Sequence, residues 1–307
     1  MMTLFSIPKS FRGHTGIIQR NAIRSWTFLK PSPEIILFGD DERTAEVAKS
    51  FGVRHVPKVA RNEYGTPLVN DLFEQAQRFA TNDLLCYVNA DIILMSDFVK
   101  AVEQVAQRKR RFLMVGRRLD VDVGEPLDFG FQWEERIRVL VAKKGHLHSS
   151  TGIDYFVFPR DLWGKIPPFA IGRTAWDNWL LYRARASRAP VVDATQVVMA
   201  VHQNHDYSHN PQGEEGIWSG PEAKRNLELS GSQVYLFTIQ DATHVLRSEG
   251  IKLALDPWYV SRRLETLPTL YPLLRWPMRL LLWLIALSRP VRARFGLTLP
   301  AGGPRNA

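Results

Sequence analysis

Along the first 160 positions the chain alternates between short unbroken apolar runs and longer stretches with one apolar face. The runs at 3–7 (TLFSI), 34–39 (EIILFG), 84–88 (LLCYV) and 111–116 (RFLMVG), with a short VRHV at 53–56, predict strands. Between them helices are predicted over 17–29, where Ile18, Ala22, Ile23 and Trp26 share a face, and over 42–51, closed by Gly52 as a C-cap. A third starts at Thr66-Pro67, read as an N-cap followed by proline at the first helical position, and runs to about Ala80; a fourth covers 96–107. The wholly apolar 84–88 segment has the pattern of a strand buried on both faces. Such alternation predicts βαβ units and a mostly parallel central sheet with flanking helices.

Ligands of such sheets lie beyond the carboxyl ends of the strands. The polar residues to weigh are therefore Pro8-Lys9, Asp40-Asp41 and Asn89-Ala90-Asp91. The second half is less regular: a helix over 132–143, a strand over 154–158, a helix over 174–185 and strands within 191–202. A long polar loop follows at 202–221, a length that marks either function or mobility.

In YVNADIIL, Asn89 and Asp91 project the same way at the mouth of the sheet. One carboxylate there suits a hard divalent cation whose shell is completed by phosphate oxygens and water; equally, Asp91 could cap the segment that follows. Trp176-Asp177-Asn178-Trp179 places an acid in the first turn of a predicted helix. That acid either complements the helix N-terminus or takes a proton from an attacking hydroxyl. His202, His205 and His209 are spaced for a metal, or hydrogen-bond loop backbone; no metalloprotease glutamate or neighbouring cysteine accompanies them. Phosphate loops of the GxxxxGK[ST] and GxGxxG types are absent, and so is GxSxG.

The stretch NEYGTPLVNDLFEQAQRFATNDLLCYVNADIIL resembles the core of nucleotide-sugar-dependent glycosyltransferases of the GT-A fold, where a helix precedes a strand ending in Asp-x-Asp. The resemblance implies that Asp91 matches the metal-binding Asp and Asn89 the first position of the motif, with asparagine replacing aspartate. It also implies that SIPKSF meets the nucleotide, Lys9 facing phosphate and Phe11 a base, and that Asp40 and Asp41 face the uracil or ribose. STGIDYFVFPRDLWGKIPPFAIGRTAWDNWLLYRARA resembles the acceptor side of these enzymes. There Asp177 matches the catalytic base, Asp154, Trp176 and Trp179 contact the acceptor, and His202 or His205 returns to the metal. The implied activity is transfer of a sugar from a UDP- or GDP-sugar to a hydroxyl acceptor, assisted by Mn²⁺ or Mg²⁺. Tyr207 and Trp218 would belong to a lid. Two alternatives stay open: a sugar-phosphate nucleotidyltransferase, for which SIPKSFRGHTG is a poor match, and a non-catalytic binder of sugar nucleotides or membranes.

Composition changes one part of this picture. The 307 residues have ordinary globular content, 45% hydrophobic and 23% charged, which excludes disordered and multi-span membrane classes. The single Cys86 cannot form an internal disulfide and favours a reducing compartment. The +9 net charge is placed unevenly. Residues 262–307 hold eight arginines and one glutamate, a net +7, leaving +2 for the body. Leu280–Ser288 is too short to cross a bilayer. Trp276 and Trp283, leucines and flanking arginines instead suit an interfacial helix on anionic lipid, or a helix docked on the core. Nucleic acid is a poor partner, since the arginines sit among bulky aliphatics. The organisation expected is a GT-A-like domain over 1–260 and a basic amphipathic membrane-contact segment over 261–307. The expected location is cytoplasmic, peripherally attached to a membrane, with no secretory signal.

Overall fold

The first strand, β1 (Thr3–Ser6), is wholly buried and feeds α1 (Gly13–Thr27). In the computed structural model, residues 1–205, 218–274 and 276–277 are described. The alternation continues through β2 (Glu34–Phe38), α2 (Thr44–Phe51), β3 (Arg54–Val56), α3 (Val69–Phe79) and β4 (Leu84–Val88). Next come β5 (Ile92–Ile93), α4 (Ser96–Arg108), β6 (Leu113–Val115), β7 (Arg118–Val121), α5 (Trp133–Lys144) and β8 (His146–Leu147). The remaining elements are β9 (Tyr155–Pro159), α6 (Trp176–Ala186), β10 (Val191–Asp193), β11 (Ala200–Gln203), α7 (Pro221–Ser230), β12 (His244–Arg247), β13 (Gly250–Leu253) and α8 (Pro257–Leu270).

Nine strands form the main sheet in the order β13-β12-β10-β6-β9-β4-β1-β2-β3. Five of its eight neighbouring pairs are parallel, as the βαβ pattern requires. β9 runs antiparallel between β4 and β6, and β13 closes the far edge antiparallel to β12. The pleat sends alternate residues of each strand to opposite cores. Phe5, Ile36, Leu85 and Tyr87 join one core with α3 and α6, whereas Leu4, Leu37, Cys86 and Val88 join the other with α1 and α4. This two-sided burial explains why β4 reads as an unbroken apolar run. It also accounts for Cys86, fully buried with its thiol pushed up by burial.

Three features go beyond the expected pattern. α3 begins at Val69, capped by Leu68 rather than Thr66. The backbone around Pro67 is committed elsewhere: Ile171 N donates to Pro67 O, and Leu68 bridges to Ala170. Second, a smaller four-stranded sheet, β5-β11-β7-β8, stands beside the main one. β7 (RLDV) has three half-buried positions and one buried, and β8 is exposed, so neither shows an apolar run. Third, α8 runs on through residues 260 and 261. Tyr259 Oη donates to the buried Asp193 at 2.6 Å. Arg262 pairs with the fully buried Asp241 at 3.2 Å, and Arg263 donates to the carbonyls of Ala242 and Ala254. Two of the eight C-terminal arginines thus hold α8 to the body. Among the described residues, no helix is long and apolar enough to cross a membrane. The basic tail from 278 onward lies outside them, as do Tyr207 and His209.

Candidate active site

β4 ends in a tight turn in which Asn89 N donates to Asp154 O and Ile92 N donates to Asn89 O. The chain then enters β5, which pairs antiparallel with β11 and sets His202 opposite Ile92. Gln203, fully buried, donates from Nε2 to Asp91 O at 3.0 Å and locks the turn against β11. Asp91 is thereby delivered to the C-terminal mouth of the main sheet, facing His202 of the second sheet and His205 just beyond its strand β11. Its Oδ2 lies 3.2 Å from His205 Nε2 and 3.8 Å from His202 Nε2. One ligand atom from each of the three residues falls within 4.8 Å of the others.

These donors fit a divalent cation. Asp91 Oδ1 is buried and has no hydrogen-bond partner among the described residues, which is costly for a carboxylate oxygen unless a cation occupies its lone pairs. Three protein donors leave positions for phosphate oxygens and water. Burial alone would push the Asp91 carboxyl up, but the charges of His202, His205 and Lys9 outweigh it and hold it below the ordinary range. Lys9 follows β1, its backbone clamped both ways by the Gln19 side chain. Burial lowers its ammonium pKa against the pull of Asp91, and nearby Arg173 lowers it further. The mouth therefore presents cationic groups around one acid, an arrangement that attracts a diphosphate.

A second group of acids lies alongside. Asp154 accepts from Asn89 Nδ2 and from Arg118 Nη1 at 2.9 Å, while Tyr87 Oη donates to Asn89 Oδ1 at 2.7 Å. Asp177 is the second residue of α6, whose N-cap Ala175 has a φ of 84°, left-handed and costing on the order of 1–3 kcal/mol without glycine. That twist seats Trp176 in the core against Tyr87 and leaves Asp177 within electrostatic reach of Asp154, Tyr87 and Arg118. Burial pushes the Asp177 carboxyl up to about 6; the charge of Asp154 adds to this, while the Asn178 N–H and Arg118 oppose it. A carboxyl so placed titrates where a general base is most effective.

Not every residue implied by the resemblance reaches the mouth. Phe11 is 1% exposed and packs in the core under Arg20. Trp176 and Trp179 are likewise buried, Trp179 against Phe169. Asn89 has both amide atoms engaged, by Tyr87 and Asp154. Asp154 in turn is held by Arg118 and Asn89. Asp40 and Asp41, at the end of β2, are both paired with Arg61, at 2.8 and 3.0 Å. Pro8 is buried beside Lys9. Trp218 is largely exposed.

Sequence reasoning passed over Arg118, Asp120 and His148. The alternation of charge in RRLDVD was the one signal for the first two: it places Arg118 and Asp120 on the same side of a strand.

No protein-family model and no curated protein matches the sequence of this chain. Solved structures do match in fold. Glucosyl-3-phosphoglycerate synthase from Mycobacterium tuberculosis, crystallised with Mg²⁺ and UDP, is 13% identical with a TM-score of 0.46, covering 76% of this chain and 80% of that one. S. aureus TarS 1-349 in complex with UDP-GlcNAc is 12% identical with a TM-score of 0.44, covering 68% of this chain. The chain spans 60% of the TarS fragment's length. Likeness at these values concerns the course of the backbone, and the chemistry rests on the side chains described above.

Proposed function

We propose that this protein transfers a glycosyl group from a nucleoside-diphosphate sugar to a hydroxyl acceptor. The observation that carries this reading is the convergence of Asp91, His202 and His205 within 4.8 Å at the C-terminal mouth of the sheet. Asp91, His202 and His205 would hold a divalent cation, which when bound neutralises charge on the departing diphosphate. Two imidazoles beside one carboxylate favour Mn²⁺ over Mg²⁺, which prefers oxygen donors. Lys9 adds positive charge where the diphosphate sits. Asp177, ionised above about pH 6, accepts the proton of the acceptor hydroxyl as it attacks the sugar. Arg118, Asn89 and Tyr87 fix Asp154, whose charge helps keep Asp177 basic.

A ligand that binds only the native state raises its melting temperature. UDP- and GDP-sugars at about 100 times their Kd should add about 2.7 kcal/mol of stability. The shift should need Mn²⁺ and be followed by release of the nucleoside diphosphate when an acceptor is supplied. Absence of a shift with every nucleotide sugar would reject the reading. Release of pyrophosphate from a nucleoside triphosphate would point to a nucleotidyltransferase instead.

We also propose that the tail beyond α8 rests on an anionic membrane. The support is its charge: six of the eight C-terminal arginines lie from 275 onward, with no acid among them. Because α8 is pinned to the body, removal of residues 278–307 should leave the domain folded and abolish its sedimentation with anionic vesicles. Unchanged vesicle binding would sink this assignment.

A further inference from the structure

β7 and β11 run parallel, in a register that places Asp120 directly opposite His202. Asp120 Oδ1 lies 3.1 Å from His202 Nδ1 and accepts from Arg118 Nε at 2.8 Å. Its other oxygen is 2.6 Å from His148 Nδ1. Arg118 and His148 thus fix both oxygens of a carboxylate that faces the ring nitrogen turned away from Asp91. The opposite nitrogen, Nε2, is the one that looks toward Asp91 Oδ2. The Nδ1 contact is close, although it falls short of a well-formed hydrogen bond, and that buried nitrogen has no other acceptor among the described residues. A one-residue slip between β7 and β11 would turn Asp120 to the other face of the sheet.

From this geometry we infer that Asp120 is a positioning residue: it holds His202 with the proton on Nδ1 and the lone pair of Nε2 aimed at a divalent cation on Asp91. His148 and Arg118 keep the Asp120 carboxylate in place. The inference rests on the metal reading given under the proposed function. A metal-ligating histidine whose second nitrogen donates to a carboxylate is more basic and fixed in orientation, and losing that partner typically weakens metal affinity 10–100-fold. Asp120 would therefore act on the cation through His202, without touching it.

The test uses the full chain with Mn²⁺ alone as the probe, its binding followed by electron paramagnetic resonance. Asp120→Asn should weaken Mn²⁺ about 10–100-fold while the melting temperature and circular dichroism stay near those of the parent. Nitrogen-15 spectra of the histidine rings, at a pH where His202 is neutral, should show the Nδ1–H tautomer in the parent chain and its loss in Asp120→Asn. That signature would not move if Asp120 merely stabilised β7, and the parent spectrum alone decides the matter should the variant fail to fold. An Nε2–H tautomer in the parent, or Mn²⁺ affinity within twofold of the parent in Asp120→Asn, would overturn the positioning role. Mn²⁺ binding that survives Asp91→Ala would overturn the metal reading itself, and the positioning role with it.

Discussion

Asp91→Ala is expected to lose sugar transfer by on the order of 10³-fold or more and to lose Mn²⁺ binding together with it. The cation stabilises developing charge on the leaving diphosphate by several kcal/mol, and about 4 kcal/mol corresponds to a thousandfold in rate. Asp91 supplies the one carboxylate of the ligand set, and its unpartnered Oδ1 is the oxygen most in need of a cation. Without it, His202, His205 and Lys9 face one another with no intervening acid. Asp91→Asn separates charge from shape, because the amide keeps the volume but binds a hard cation poorly. Both variants should retain the fold, since Gln203 grips the backbone carbonyl of residue 91, not its side chain. The measurements are single-turnover transfer and Mn²⁺ titration of each variant. More than a tenth of the parent activity in either would rule out this site.

Asp177→Asn is expected to cost about 10²–10⁴-fold in kcat, the usual worth of a general base. In the parent, kcat should rise with pH through a single ionisation near 6, because the base works only when deprotonated. The variant should be uniformly slow, without that rise. Stability should move the opposite way. The folded carboxyl titrates near 6 and the unfolded one near 4, so the native state holds the proton more tightly across that interval. Stability from this group is complete below about pH 4 and declines as pH climbs toward 6. Asparagine removes the ionisation, so the variant should melt higher than the parent at pH 7 and show little advantage near pH 4. A group selected for packing alone would not show a gain in stability with a loss of turnover. An unchanged pH profile in Asp177→Asn would move the base elsewhere, with Asp154 the neighbour to examine first.

Much of this arrangement was legible before any coordinates. The unbroken LLCYV run announced a strand buried on both faces, and the polar residues at its end pointed to Asp91. The acid in the first turn of the 176–186 helix, and histidines at 202 and 205, were visible as residue types at suitable places. Aromatic residues carry the least local information about their role. Phe11, Trp176 and Trp179 carry as much apolar area as a core position needs, and nothing in their spacing separates a packed ring from one offered to a nucleotide or sugar. Asp40 and Asp41 looked free because Arg61, which pairs with both, arrives from twenty residues further along.

By itself the sequence determined the alternating α/β architecture and the strand that carries Asp91, because burial on two faces leaves a local record in consecutive residues. It also determined that the excess charge belongs to the C-terminus. Only the tertiary structure decided which polar groups meet. The second sheet draws Asp91, Asp120, His148 and His202 together from four separate parts of the chain, through strands too short and too mixed to leave an apolar pattern. Those contacts follow from strand register and from the direction of each side chain across the pleat. Both are set by packing between distant segments, which no local run of residues encodes.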